Sequence, residues 1–497
     1  MDLRDRCEML PGRKAAPARL GRVLVLGLGK SGRACADYLR PLIGTRVESL
    51  AVAAGAPSEA ALAWAEAARA DGARVEFDHE AIEGAYDLCI ASPGISERSA
   101  FYRSAVAASA EVVSEVEFAW RESAADARWV AVTGTNGKTT TTAMIAHLLR
   151  AAGLAADAVG NIGDTCIEAV AAGVTDVYVA ETSSYQLAST RDFAPNVAVV
   201  LNITPDHLAW HGSLEAYADA KWKVLANLGR VPGAVAVLDA VDDAVRERVR
   251  ALRAQDAAER GFAYVPLGTA RGLGFDMRAA CGSDNAAFVA DDGTLTVALA
   301  GVEHRLCRAD ELQVRGAHNQ ANALAAAAAA LALGAPAEAV SAHLASFAAL
   351  EHRIEPCGSV AGVACYNDSK ATNVDATLVA LTAFLPQRPL VLLGGRDKGT
   401  DLAPLVAACV EHASAVVCFG EARARFLAAF AGAPVPVLEA AGLETALDVA
   451  LEAAAPGDVV LLSPACASFD EFSCFEERGE AFKALVAERA QGAREAR

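Results

Sequence analysis

The apolar positions of this chain fall into short, nearly continuous runs separated by longer stretches of helical spacing. Runs of this kind occupy residues 22–26, 86–91, 129–132, 176–180 and 197–201, then 234–238, 362–366, 389–393, 415–419 and 458–462. Each predicts a strand, and the stretches between them predict crossover helices, for example from the loop after residue 26 to about residue 40 and from residue 138 to about 150. Between 261 and 314 the rhythm changes to short alternating strands, including 294–297, with a turn at Asp291-Asp292-Gly293. That change predicts a small antiparallel annex on the edge of the central sheet. The charged, alanine-rich stretch 121–128 reads as a linker, and no repeat of solenoid period is visible. The pattern therefore predicts an α/β chain of three domains, each built on a mostly parallel sheet, over residues 1–124, 125–349 and 350–497.

Composition narrows the setting more than the chemistry. A chain of 497 residues is too long for one ordinary core, which agrees with several domains. A formal charge of -18 excludes a non-specific nucleic-acid binder, which needs a basic face toward phosphate. An anionic substrate would have to be held by backbone amides, a few Lys or Arg, and metal ions. The 12 cysteines are scattered without a C-x-x-C pair, which predicts free thiols in a reducing cytosol rather than disulfides or a zinc ribbon. The first twenty residues lack an apolar segment of signal-peptide length, and no run of eighteen apolar residues predicts a membrane span. The expectation is a cytoplasmic chain with no membrane or nucleic-acid partner.

In open parallel sheets, ligands gather at the carboxyl ends of the strands, and the polar clusters sit there. The run 129–132 leads into Thr133-Gly-Thr-Asn-Gly-Lys-Thr-Thr140, the run 176–180 into Glu181-Thr-Ser-Ser184, and the run 197–201 into Asn202-Ile-Thr-Pro-Asp-His207. The third block places Asn367-Asp-Ser-Lys-Ala-Thr-Asn373, Gly394-Gly-Arg-Asp-Lys398 and Ser463-Pro-Ala-Cys-Ala-Ser468 likewise. Two such reactive edges facing each other across a cleft would be the economical arrangement. The glycines at 134 and 137 let successive amides turn toward phosphate oxygens at a helix N-terminus. Lys138 would neutralise the outer phosphates and the Thr139 hydroxyl would meet Mg²⁺. Glu181 and His207 suit a cation carrying a nucleotide. A zinc reading of His207 and His211 lacks a third ligand, and Pro205 and Gly212 interrupt a helix there. Lys221, taken alone, reads as a surface lysine. The early Gly27-Leu-Gly-Lys-Ser-Gly32 matches a dinucleotide fingerprint with Glu48 as its acid. A dehydrogenase would not explain the phosphate loop downstream, so the early turn reads better as a pyrophosphate cradle for a nucleotide-linked substrate.

Together with Gly160-Asn-Ile-Gly163, Glu181-Thr-Ser-Ser-Tyr-Gln186 and His318-Asn319 through Asn322, these segments resemble the Mur ligase family over essentially the whole chain. Folylpolyglutamate synthases share part of the set. The segments 367–373, 394–398 and 463–472, with Phe475, Arg478 and Gly479, resemble the glutamate-adding members.

The resemblance implies a Rossmann-like N-terminal domain for a UDP-linked substrate, a P-loop-type ATPase domain, and a Rossmann-like C-terminal domain for the amino acid. It implies ATP held by Gly134, Thr135, Asn136, Gly137, Lys138, Thr139 and Thr140, with Asn319 and Asn322 at the adenine and Arg353 and Asp368 closing on the nucleotide. One Mg²⁺ would be held by Thr139 and Glu181, and a second by His207 and Lys221, the lysine carrying a carbamate. Lys138, His207 and Lys221 would be the catalytic residues. Lys30, Ser31, Gly94 and Asn161 would touch the UDP-linked muramoyl-alanine, and Thr372, Lys398, Ser468 and Phe475 the glutamate. The expected product is an amide formed through an acyl phosphate by a monomeric enzyme of peptidoglycan precursor synthesis. D-glutamate is the implied amino acid, L-glutamate and folate-type ligation being the alternatives. A nucleotide-binding regulator without turnover is a rival, against which the complete set Lys138, Glu181, His207 and Lys221 argues. One departure stands out: the family places an Asp and an Arg after the second strand to hold uracil, and the stretch 47–55 offers neither in register.

Overall fold

The apolar runs become strands because helices cover both faces of each sheet. In the third sheet, Val391, Leu393, Val416, Cys418, Val459 and Leu461 belong to one buried cluster, while Leu390, Leu392, Val417, Phe419, Val460 and Leu462 belong to another on the opposite face. A strand buried on both sides leaves no polar positions to alternate, so it reads as a continuous hydrophobic segment. The structure, a computed structural model, describes residues 8–78, 81–268, 283–314, 316–348, 350–397 and 399–495. These form two compact units, one of Met1–Glu311 with Ala321–Ala345 and one of Leu312–Gln320 with Ser346–Arg497.

The first unit holds two sheets. Strands β1 (Gly21–Leu26), β2 (Val47–Ala53), β3 (Arg74–Glu76), β4 (Leu88–Ala91) and β5 (Val112–Ser114) pair in the order β3-β2-β1-β4-β5, all parallel. The direction of winding reverses between β1 and β4, so the glycine-rich turn after β1 and the Ser92-Pro93-Gly94 turn after β4 lie side by side. The second sheet is built from β6 (Arg128–Thr133), β7 (Ala156–Gly160), β8 (Val177–Glu181), β9 (Val197–Val200), β10 (Val235–Asp239), β11 (Ala263–Gly268), β12 (Ala286–Val289), β13 (Thr294–Leu299) and β14 (Val302–Arg308). Its order is β14-β13-β12-β11-β10-β9-β6-β8-β7. The strands β12, β13 and β14 pair antiparallel, which is the annex expected at the sheet edge; residues 269–282 of that region lie outside the described residues.

The second unit holds β15 (Glu355–Val360), β16 (Val363–Asn367), β17 (Leu390–Gly394), β18 (Ala415–Phe419), β19 (Val437–Glu439) and β20 (Val459–Leu462), in the order β15-β16-β20-β17-β18-β19. The last strand slots between β16 and β17, which brings the loops after β16, β17 and β20 together at one edge. Among the described strands of this sheet, β15 alone runs antiparallel to its neighbour. Among the described residues, no helix is long and apolar enough to cross a membrane.

The linker expected at 121–128 is a misreading. Its first residues end the helix Glu115–Glu122, in which every residue is buried. Its last residue opens β6. Arg121, 2% exposed, donates to Glu111 (2.7 Å), to Glu117 and to Asp192 (3.2 Å), and Glu122 takes Arg46 (2.8 Å) and the Tyr38 hydroxyl (2.8 Å). Charges that satisfy each other can be buried, and a count of polar residues cannot separate that case from a solvated linker. One continuous hydrophobic cluster runs from Val23 and Val25 of β1 through Val113, Val116 and Phe118 to Trp129 and Ala131 of β6. The first two sheets therefore share one core.

Candidate active site

The phosphate loop follows β6 and enters the helix Lys138–Ala151 through Gly137, whose φ of 83° is left-handed. A Cβ at Gly137 would lie 2.5 Å from Asn322 Oδ1, so only glycine fits. The loop is braced by its neighbour after β9. Asn136 N–H donates to Asn202 Oδ1 (2.7 Å), Asn202 Nδ2 returns a bond to Asn136 O (3.1 Å), and Thr135 N–H donates to Asn202 O (2.8 Å). Asn322, expected at the adenine, has its Oδ1 taken by Thr141 Oγ1 (3.1 Å) beneath the loop. Asn319 lies in the first turn of the helix Ala317–Ala332, where it is buried.

Two lysines converge on this loop. Lys138 Nζ donates to the carbonyls of Gly134 (2.9 Å) and Thr135 (2.8 Å), and Lys221 Nζ donates to the same Gly134 carbonyl (2.7 Å). Lys221 is no surface lysine: it is 1% exposed, and burial, then the Lys138 ammonium, hold its amine well below the usual lysine range. The Tyr217 ring lies 4.5 Å from its Nζ, and the Tyr217 hydroxyl shares a hydrogen bond with Thr135 Oγ1 (3.0 Å). Tyr217 thus ties the lysine to the loop. Sequence reading missed it, although its place one helical turn before Lys221 was a usable signal.

Glu181, the last residue of β8, is buried. Its Oε1 accepts from Asn161 Nδ2 (3.0 Å), and its Oε2 has no partner among the described residues. A buried carboxylate oxygen without a donor is costly unless a cation meets it. This oxygen, at the end of the strand beside β6 and its loop, therefore fits the Mg²⁺ that the sequence predicts, whose preference is for hard oxygen donors. Lys221 as an ammonium cannot ligate a cation, and fits one only after conversion to an anionic derivative. The following Ser183 and Gln186 serve the backbone instead, forming a capping box that starts the helix Ser184–Ala188.

His207 is exposed at the edge of this group with φ 53°, a conformation costly for a residue with a Cβ and common at functional sites. Its N–H donates to Asp206 Oδ1 (2.8 Å) and its ring lies 4.8 Å from that of Tyr185. The helix that follows lasts one turn, Leu208–His211, and ends at Gly212, as the interrupted pattern implied. His211 shares a hydrogen bond with Ser184 Oγ (2.9 Å), its ring lies 5.3 Å from that of Tyr217, and burial lowers it to about 4.

At the edge of the first sheet, a Cβ on Gly32 would meet Gly27 O at 2.1 Å and Ser92 Oγ at 2.6 Å, so the turn requires glycine for close approach. Ser31 is half-buried there and Gly94 is exposed after β4. Lys30 Nζ donates to Gly163 O, which joins this turn to the loop carrying Asn161.

The second unit gathers its own set. Asp368 is buried, accepts from Ser463 Oγ (2.7 Å) and Ile354 N–H (3.3 Å), and burial raises it to about 7 against the pull of Arg353. Thr372 closes the loop after β16 with a bond to Lys370 O (2.8 Å). Ser468 is buried in the loop after β20, and Phe475 opens the final helix with its ring 3.7 Å from Lys370 Nζ. Arg478, to which the sequence assigned no role, ties these loops together: it is buried and donates to Ser369 Oγ (2.9 Å), Ser369 O (2.8 Å) and Cys466 O (3.1 Å). Lys398 lies outside the described residues.

Comparison with known proteins matches the Mur ligase middle domain to residues 132–330 and the Mur ligase, glutamate ligase domain to residues 352–466. A relative from Salinibacter ruber, named UDP-N-acetylmuramoylalanine--D-glutamate ligase, is 39% identical over 94% of this chain and 98% of its own. The chain belongs to the Mur ligase family. Relatives of the same name from Chlorobaculum tepidum and Bordetella parapertussis are 39% and 37% identical over 93% and 96% of the chain, and 97% of their own in each case. Among solved structures, a pseudomurein peptide ligase type C from Methanothermus fervidus matches over 94% of this chain and 99% of its own, at 17% identity and TM-score 0.54. The UDP-N-acetylmuramate-alanine ligase of Thermotoga maritima matches over 95% of this chain and 99% of its own, at 18% identity and TM-score 0.54. These two share the three-domain α/β fold. As a Mur ligase, the chain is an ATP-dependent, amide-bond-forming ligase.

Proposed function

We propose that this Mur ligase adds D-glutamate to the alanyl carboxylate of UDP-N-acetylmuramoyl-L-alanine, as a monomer in the cytoplasmic synthesis of peptidoglycan precursors. The observation that carries the phosphoryl chemistry is the meeting of Lys138 and Lys221 at the Gly134 carbonyl. The shared name of the relatives supports the choice of glutamate. The amides of residues 134–137, Lys138, Thr139 and Thr140 would cradle the ATP phosphates, with Asn319 and Asn322 toward the adenine and Arg353 and Asp368 toward the rest of the nucleotide. Thr139 and Glu181 would hold one Mg²⁺, and His207 with a carbamylated Lys221 a second. Bound there, Mg²⁺ supplies positive charge against the phosphate oxygens.

The alanyl carboxylate, held with its nucleotide by Lys30, Ser31, Gly94 and Asn161, attacks the γ-phosphorus. A P–O bond to the leaving ADP breaks, and an acyl phosphate forms. Lys138 offsets charge on the transferring group, and the fixed loop amides do so without reorganising. The free amine of glutamate, placed by Thr372, Lys398, Ser468 and Phe475, then attacks the acyl carbon. Phosphate leaves, and the amine loses a proton as the amide forms. Proximity of aligned reactants adds to this electrostatic stabilisation in such a scheme.

The end of β2 offers Ala53, Ala54 and Gly55 where the family holds uracil with charged side chains. Base recognition from this segment would rest on backbone groups.

The test is phosphate release from ATP and Mg²⁺ with UDP-N-acetylmuramoyl-L-alanine, comparing D-glutamate, L-glutamate and no amino acid. Release that depends on D-glutamate is the expected result. Release that depends on L-glutamate would overturn the stereochemistry, and release indifferent to the amino acid would overturn the ligation.

A further inference from the structure

The loop after β7 is folded onto the end of β8. The two strands are in register with Gly160 opposite Glu181, and Gly160, at φ 95°, is so close that a Cβ would lie 2.7 Å from Glu181 O. Asn161 N–H donates to that carbonyl (3.1 Å), and the Asn161 side chain reaches the carboxylate of the same residue, Nδ2 to Oε1 at 3.0 Å. Asn161 is exposed while Glu181 is buried, so one side chain spans from the substrate side to the interior. From the other direction, Lys30 of the glycine-rich turn holds Gly163 O of this loop. A capping box of Thr165 and Glu168 then fixes its far end.

We infer that Asn161 is a positioning residue for Glu181: it engages Oε1, presents Oε2 to the cation, and thereby couples the loop at the nucleotide-linked substrate to the cation site. The inference rests on the proposed assignment of Glu181 as a cation ligand. The chemistry of the donor supports it. A carboxylate turning about its last torsion exchanges its two oxygens, and a single donor on one of them stops that exchange. An amide does so without charge, so the full negative charge of Glu181 stays available to the metal, whereas a lysine or arginine there would compete with it. Outer donors of this kind tune the affinity of ligands they orient.

The test is Mn²⁺ binding to the full chain with a non-hydrolysable ATP analogue and no UDP-linked substrate, followed by electron paramagnetic resonance. Asn161→Ala and Asn161→Ser, both at an exposed loop position, should weaken Mn²⁺ binding by about tenfold or more while melting at the wild-type temperature. Unchanged Mn²⁺ affinity in both variants, with only the KM for the UDP-linked substrate raised, would overturn the inference and leave Asn161 a substrate contact alone. This outcome is distinct from failure of the cation assignment itself, which would appear as unchanged Mn²⁺ affinity in Glu181→Gln as well.

Discussion

Lys221 sits between the Tyr217 ring and the Gly134 carbonyl with its charge opposed by both burial and Lys138. A neutral amine is the form that attacks carbon dioxide, and the resulting carbamate would replace the repelled cation with an anion beside Lys138. After incubation with ¹³C-bicarbonate, a protein-bound ¹³C carbamate resonance should appear in wild-type enzyme and vanish in Lys221→Ala. Turnover of that variant should fall by roughly 10²–10³-fold. A wild-type spectrum without the resonance would show that Lys221 stays an amine. Glu115 bears on stability rather than on chemistry. It is 1% exposed, accepts Ile167 N–H (2.8 Å) through Oε1, and leaves Oε2 without a partner among the described residues. Burial raises its carboxyl from 4.5 to about 7. Below about pH 4.5 the group is protonated in folded and unfolded chain alike and costs nothing. Between about pH 4.5 and 7 the unfolded chain ionises while the folded group stays protonated, so stability falls across that window by up to about 3 kcal/mol and no further above it. Glu115→Gln should therefore gain little over wild type near pH 5 and about 1–3 kcal/mol near pH 8 in denaturant titrations; equal gains at both would contradict the shift. Residues whose type suggests a chemistry, such as Lys138, Thr139 and Glu181, were readable in the sequence as candidates. Tyr217, His211 and Arg478 were not, because their parts depend on which neighbours the fold supplies.

At the scale of elements, strands were the most legible feature, since burial on both faces writes them as unbroken apolar runs; their ends moved by a residue or two, as with 129–132 against Arg128–Thr133. Motifs proved to be mixtures. In Glu181-Thr-Ser-Ser-Tyr-Gln186 the first residue carries a carboxylate to the site, while Ser183 and Gln186 cap a helix. The helix Glu115–Glu122 hid from a polarity reading because its charges are mutually paired. Arg121 serves Glu111, Glu117 and Asp192 at once, and the side chains of Glu111 and Glu117 are fully buried. Arg121→Ala would leave Glu111 to Arg191 and Glu117 to the Arg191 and Asp192 amides, and removal of the buried cation between them should cost about 3–5 kcal/mol in urea denaturation. A loss under about 1 kcal/mol would place the network among weak surface pairs.

For the whole molecule, the sequence order of strands and polar loops already placed the polar clusters at strand ends, as the structure has them. What the order alone did not reveal was how each sheet winds. β6 lies between β9 and β8, and β20 inserts between β16 and β17, so loops distant in sequence become neighbours. Nor did it reveal that the first two sheets share one hydrophobic cluster, which runs across the boundary that polarity suggests near residue 124. Central to the proposed function is that ATP activates the alanyl carboxylate for attack by D-glutamate. The most direct test labels that carboxylate of UDP-N-acetylmuramoyl-L-alanine with ¹⁸O and follows the label during turnover with ATP, Mg²⁺ and D-glutamate. Phosphate carrying one ¹⁸O for each amide formed is the predicted result. Amide formed with unlabelled phosphate, or with ¹⁸O in AMP, would contradict activation through an acyl phosphate.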